Sequence, residues 1–236
     1  MADLSTDVRW IKGIGEARAK GLNKLGIFTL FDLVSYFPRA YEDRSVFKEI
    51  RSLVPGDSVC VAATVSKTPT LSRVRAGLEL VKTKAVDSAG ELNITFFNQS
   101  YMKSSLIQGD SYVFYGKVTG TPGRPEMLNP IVERESAAGA FTGRIMPIYR
   151  LTSGISQKMI AAAVRQGLAA CGELMPDPLP KGLQQKYELA QSRFAYENIH
   201  FPSSGAALEI ARRRLIFEEL FVLSCALGFL RRSRVS

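Results

Sequence analysis

The stretch Leu92-Asn93-Ile94-Thr95-Phe96-Phe97-Asn98-Gln99-Ser100-Tyr101 decides the fold. Its first half alternates, so Leu92, Ile94 and Phe96 fall on one face of a strand. Phe97 follows Phe96 and must point to the other face. Four residues on, Tyr101 opens a short predicted helix, Tyr101 to Leu106. A strand that runs into a helix with a ring on each side of the join sets two flat aromatic surfaces at the corner of a small β-domain. Such rings can stack on nucleic-acid bases, and every base offers a π-face.

Outward from that corner, residues 51–135 keep the period of a sheet. Pro55-Gly56-Asp57 is a turn, and Val59, Val61, Ala63 and Val65 alternate behind it. Lys67 to Gly77 reads as a basic loop carrying Arg73 and Arg75. A second strand spans Leu78 to Val86, Asp87-Ser88-Ala89-Gly90 turns the chain, and the third strand is Leu92 to Phe97. After the helix and the Gly109-Asp110 turn, a fourth strand covers Tyr112 to Val118. Thr121-Pro122-Gly123 leads into a last strand, Met127 to Val132. Three strands, a helix and two strands is the order of an OB-fold barrel. An SH3-like barrel is the rival, and the helix between strands three and four favours the OB-fold.

The flanks read as helical, giving an α+β, multidomain chain: a helical segment over 1–50, the barrel over 51–135, and a connector with helices over 136–236. In the first segment, Ala19, Leu22 and Leu25 share a helical face and Gly26 ends the helix. Thr29 and Asp32 form a capping-box pattern for a second helix, Leu30 to Tyr36, with Asp in place of the usual Glu, and Pro38 stops it. The connector, 136–155, contains Gly139, Gly143 and Pro147. Ile160, Val164 and Leu168 mark an amphipathic helix, Met175 to Pro180 is a break, and a final helix runs from about Ala206 to Leu230.

The 236 residues carry a net charge of +9. Residues 136–236 hold 13 basic against 7 acidic residues, much of the excess in Arg212-Arg213-Arg214 and Arg231-Arg232-Arg234. Such runs are compatible with phosphate binding without establishing it. The apolar run Leu220 to Leu230 is too short to span a bilayer and reads as a buried helix. The N-terminus has no signal-peptide pattern, so a cytoplasmic protein without membrane association is expected. Cys60, Cys171 and Cys225 are distant and odd in number, which fits three buried apolar residues rather than disulfides. His200 is the single histidine, and no metal site is expected.

Two constellations point to nucleic acid. Lys12-Gly13-Ile14-Gly15 resembles the turn of a helix-hairpin-helix, where glycines let a phosphate approach a helix start; the same hairpin also serves as plain packing. In the barrel, Arg73 and Arg75 lie in a loop that binds oligonucleotides in OB-folds, and Lys82 and Lys84 follow on strand two as a basic track beside Phe97 and Tyr101; Arg73, Arg75, Lys82 and Lys117 are expected to hold the backbone. The competing reading puts both rings in the core and the lysines in water. No catalytic apparatus is visible: there is no G-x-x-x-x-G-K-[ST] loop, G-x-S-x-G elbow or H-E-x-x-H pair.

Several segments, taken together, resemble the bacterial ATP-dependent DNA helicase family RecG. They include Lys12-Gly13-Ile14-Gly15, Leu25-Gly26-Ile27, Tyr36-Phe37-Pro38-Arg39-Ala40-Tyr41-Glu42-Asp43-Arg44-Ser45, Phe96 to Tyr101, Tyr115-Gly116-Lys117-Val118, Pro147 to Thr152, Asn198 to Pro202, and Arg214 to Leu220. The resemblance implies an OB-fold wedge that grips branched DNA, followed in the family by two helicase lobes that use ATP and Mg2+ to remodel stalled forks and Holliday junctions. It implies that Phe97 and Tyr101 stack on parted base pairs. It also implies that the chain stops before its motor, holds no cofactor of its own, partners its own helicase lobes, and is inactive alone. One departure is Ser100, where the family commonly has proline; the turn into the helix is then less rigid. Two readings of other classes stay open: a protein-interaction scaffold, and a general OB-type binder of single-stranded DNA or RNA.

Overall fold

The computed structural model describes residues 3–137, 142–172, 175 and 177–235, with the backbone alone at 137 and 233–235. Gly139 of the expected connector, Pro176 of the expected break and Ser236 lie outside the described residues. The chain forms two compact units, Met1–Glu42 with Ile145–Ser236, and Asp43–Arg144. The division differs from three consecutive segments because the first helices and the last ones share a single core.

In the first of these units, α1 (Glu16–Asn23) and α2 (Leu30–Val34) follow a three-residue 3-10 turn at Val8–Trp10. Gly26, at φ +80°, closes α1: its N–H reaches the Asn23 carbonyl (3.0 Å) and the Ile27 N–H reaches Leu22 (3.2 Å). That is a Schellman end, which needs the left-handed conformation glycine adopts without a Cβ penalty. The Thr29–Asp32 capping box forms as the sequence predicts. The helix it opens ends at Val34, before Tyr36. Ala40–Asp43 (β1) pairs with β8 (Ile145–Ile148), so neither the first 50 residues nor the expected connector is free of strand.

The helices α4 (Gln157–Cys171), α5 (Lys181–Lys186), α6 (Ser192–His200) and α7 (Gly205–Val235) complete this unit. Ile160 and Val164 of α4 are buried in one core with Leu30, Leu33, Ala195 and Leu208. At Gly167 a Cβ would lie 3.1 Å from Leu33 and 3.3 Å from Val34, so glycine permits the α2–α4 approach. His200 is fully buried; its Nε2–H donates to the Val34 carbonyl (2.7 Å), leaving Nδ1 to accept from the Tyr149 hydroxyl (3.0 Å). Both bonds suit a neutral ring, and burial depresses its pKa to about 4. Arg214 is also fully buried, between Asp177 (2.6 Å), Glu218 (2.5 Å) and the Ala190 carbonyl (2.9 Å).

The expectation of a buried Leu220–Leu230 helix is not met within this unit. Leu208, Ala211 and Leu215 are buried, but Leu220, Val222, Leu223, Leu227, Phe229 and Leu230 are all exposed. Cys225 lies on the same exposed stretch, so only Cys60 and Cys171 are the buried thiols expected.

The second unit is a barrel: β2 (Ser58–Arg75), β3 (Leu78–Val86), β4 (Glu91–Phe97), α3 (Met102–Ser105), β5 (Ser111–Thr121), β6 (Arg124–Leu128) and β7 (Ile131–Arg134). The sheet runs β2-β3-β4-β6-β5-β7, and a further β2–β5 pairing closes it. The parallel β4–β6 pair and the strand–helix–strand order are those of an OB-fold. Val61, Val81, Ile94, Phe96, Phe114 and Met127 fill the interior.

Two expectations change here. Residues 67–77 are not a loop: β2 continues to Arg75, and only Ala76-Gly77 turn the chain into β3. Register irregularities at Val65/Lys67, Lys67/Thr70 and Arg73/Arg75 bend the strand, which pairs β5 through its first half and β3 through its second. The exposed outer half lacks the apolar alternation that marks a strand in sequence. The single last strand is two, β6 and β7, because Asn129 takes φ +48° and Pro130 follows it.

Candidate nucleic-acid interface

The alternation that buries Leu92, Ile94 and Phe96 leaves Phe97 on the outer surface with 36% of its side chain exposed. Tyr101 is 62% exposed. Both rings therefore stand outside the barrel core, and the reading that buries them is excluded.

The join between them is held on two sides. Asn98 takes φ +53°, a conformation Asn tolerates better than most residues. Its N–H donates to the Glu79 carbonyl (2.8 Å) and its Oδ1 accepts from the Glu79 N–H (3.0 Å), which locks the end of β4 to β3. On the other side, Asn129 Oδ1 accepts from the Phe97 N–H (2.7 Å) and from Gln99 Nε2 (3.2 Å). Gln99 Oε1 in turn accepts from the Tyr101 hydroxyl (2.9 Å). One side chain thus fixes the backbone under the first ring and, through Gln99, the phenol of the second. The Gln99 and Ser100 carbonyls accept from Met102 and Lys103, so the helical turn forms without a proline at 100.

The basic residues divide. Lys82 lies across from Thr95, two residues before Phe97 on the same outer face, and shares a 260 Å³ groove with Lys67, Lys84, Asn93 and Glu126. Arg73 stands beside Asn98 around a 350 Å³ hollow, but its guanidinium is engaged by Glu79 (2.8 Å). Arg75 is at the tip of the β2–β3 hairpin. Lys117 sits on β5 opposite Ser58, with β6 between its strand and β4 in the sheet order. Lys12, Gly13 and Gly15 belong to the other unit. Gly13 has φ +85° and Gly15 caps α1, but the element before the turn is the Val8–Trp10 3-10 turn, not the first helix of a hairpin.

Sequence reasoning missed Asn129, Gln99 and Arg134. Arg134 and Ile131 of β7 line a cleft of about 510 Å³ together with Tyr101, Gln99 and Asn129. The Asn129-Pro130 pair is a turn signal that could have flagged the position, though not its partner 32 residues away. Among the described residues no group of His, Cys, Asp and Glu is placed to hold a metal ion.

The sequence model of the RecG wedge domain matches residues 7–171. The chain is 36% identical to the ATP-dependent DNA helicase RecG of Thermotoga maritima, over 98% of this chain and 30% of that protein. It is 26% identical to the RecG of Bacillus subtilis, over 97% of this chain and 33% of that protein. The chain therefore spans about a third of the length of these relatives. A solved structure of RecG bound to a three-way DNA junction superposes with a TM-score of 0.81 at 34% identity, covering 99% of this chain and 32% of that one.

Proposed function

Because this chain belongs to the RecG wedge-domain family, we propose that it is the junction-gripping part of an ATP-dependent DNA helicase that remodels stalled replication forks and Holliday junctions. The observation that carries this reading is the pair of exposed rings, Phe97 and Tyr101, tied to one asparagine at the end of β4. The rings stack on the bases of parted strands, while Arg73, Arg75 and Lys82 hold the backbone and Lys117 meets a more distant phosphate. Recognition is then of branched shape rather than sequence.

Magnitudes define the role. Stacking a base on a ring is worth roughly 1–3 kcal/mol, and separating one base-pair step costs roughly 1.4 kcal/mol. Two rings offset the fraying of about one to four steps and block reannealing, but they cannot drive continued unwinding. In the longer protein that work falls to helicase lobes using ATP and Mg2+, in the bacterial cytoplasm on chromosomal DNA. The chain itself splits strands passively and hydrolyses nothing. The exposed apolar side chains of α7 support those lobes as its packing partner.

The test is gel-shift affinity for forked against linear duplex DNA. The parent chain prefers the fork in a salt-sensitive manner, and Phe97→Ala with Tyr101→Ala removes the preference while circular dichroism stays unchanged. Retained preference in the double variant overturns the role of the rings. Absence of DNA binding by the parent at low salt favours a protein-docking scaffold. Displacement of the fork by single-stranded RNA of equal length favours a general OB-type binder.

A further inference from the structure

We propose that the helical unit carries a second binding site, for an unpaired DNA strand, built on Trp10 and the cationic cleft beside the Gly13 turn. Trp10 is the single tryptophan of the chain. It is 76% exposed, unusual for the largest side chain, which is highly buried on average. The ring is not on a loose end. Val8 and Ile11 on either side of it are buried, the Val8 N–H donates to the Phe28 carbonyl (2.8 Å), and the Trp10 N–H donates to Asp7 (3.0 Å). Asp7 also caps the turn by accepting from the Arg9 N–H (2.9 Å). A rigid turn holds the indole in water, and the Arg9 guanidinium lies 5.7 Å from its centroid.

Two residues further on, Lys12 and Gly13 enter the lining of a cleft of about 450 Å³. Its floor is apolar, with Ile14, Leu22, Ile155 and Met159. Its charged lining residues are Lys12, Arg18 and Lys158, and no carboxylate is among the described residues that line it. Arg18 Nη1 donates to the Gly13 carbonyl (2.6 Å), which sets the guanidinium at the turn. A Cβ at Gly13 or Gly15 would meet nothing within 4 Å, so the backbone there is open to approach. An exposed flat ring with Arg9, itself paired with Asp7 (3.1 Å), at its face and with Lys12 of the cationic cleft two residues on combines the features that hold single strands without sequence preference. An acidic peptide would use the cleft and leave Trp10 in water, so the ring favours the nucleic acid. This site belongs to the other unit and its argument does not depend on the Phe97 corner.

The indole reports its own occupancy. The full chain carrying Phe97→Ala and Tyr101→Ala, which silences the barrel rings, is titrated with oligothymidylate of about 12 nucleotides, within the usual site size. Saturable quenching of Trp10 fluorescence is expected. Lys12→Ala with Lys158→Ala lowers the slope of log affinity against log salt by about 1.4, the loss of two single-strand phosphate contacts, and Trp10→Leu weakens binding about tenfold, read by anisotropy of a labelled oligonucleotide. Unchanged emission at saturating oligonucleotide, or an unaltered salt slope in the lysine variant, overturns the site. Displacement of the oligonucleotide by an acidic peptide bearing one Phe assigns the surface to a protein and also overturns it. Fork preference of the parent, measured on the intact rings, is a separate readout, so failure here and failure of the wedge are distinguishable.

Discussion

Replacing Asn129 tests whether the two rings are held as a unit. Its Oδ1 receives the Phe97 N–H at 2.7 Å and Gln99 Nε2 at 3.2 Å, and its backbone sits at φ +48°. Asn129→Gly keeps the backbone comfortable and removes the acceptor. Two partly exposed hydrogen bonds at about 0.5–1.5 kcal/mol each put the loss at about 1–3 kcal/mol. Asn129→Ala removes the same acceptor and adds about 1–2 kcal/mol for a Cβ in the left-handed region. Urea denaturation should therefore rank parent, Gly variant and Ala variant in that order, the last about 2–5 kcal/mol below the first. The functional signal is separate. With Gln99 released, the Tyr101 hydroxyl loses its orienting partner, and fork affinity falls about fivefold, equivalent to about 1 kcal/mol of stacking, in the Gly variant as well as in the Ala variant. Fork affinity equal to the parent in Asn129→Gly, at full folding, would refute the claim that this asparagine positions the rings.

Three further outcomes concern the fold. Arg214→Met removes the buried guanidinium that joins the part-exposed carboxylates of Asp177 and Glu218 to the Ala190 carbonyl and should cost about 1–3 kcal/mol in a urea titration; a loss under about 0.5 kcal/mol would show that these bonds contribute nothing net. His200 is held neutral with its pKa lowered from 6.5 to about 4, so the unfolded chain binds a proton first as pH falls. Stability present above pH 6.5 is lost progressively toward pH 4, by about 2 kcal/mol at pH 5, and a His200→Gln variant lacks that component of the decline. Gly120→Ala forces a Cβ against the Arg124 carbonyl oxygen and 3.2 Å from the Glu126 nitrogen at φ +87°; the β5–β6 hairpin should open and the barrel lose at least about 2 kcal/mol, seen as a lowered melting temperature.

Local signals explain what was legible. The orientation of Phe97 follows from the two-residue period of β4, the capping box from Thr29 and Asp32, and the end of α1 from Gly26, because each depends on a few neighbouring residues. The outer half of β2 reads as a loop in sequence because its side chains, Pro69 apart, are exposed on both faces and show no apolar alternation. The break at Asn129 was missed because Met127 to Val132 keeps an apolar content suited to one strand. The exposed last half of α7 was read as buried because composition reports how apolar a segment is, not whether anything lies against it.

The sequence by itself determined the barrel order, the outward turn of Phe97 and the family to which the chain is similar. Tertiary structure alone decided that the first and last helices share one core, that Asn129 clamps both rings, that Arg73 is engaged by Glu79, and that the strand of Lys117 is separated from β4 by β6. The reason is physical. Periodicity and turn chemistry act within a few residues, whereas a hydrogen bond between Phe97 and Asn129, or a shared core between Leu33 and Leu208, exists only after closure of the chain between them has been offset by burial.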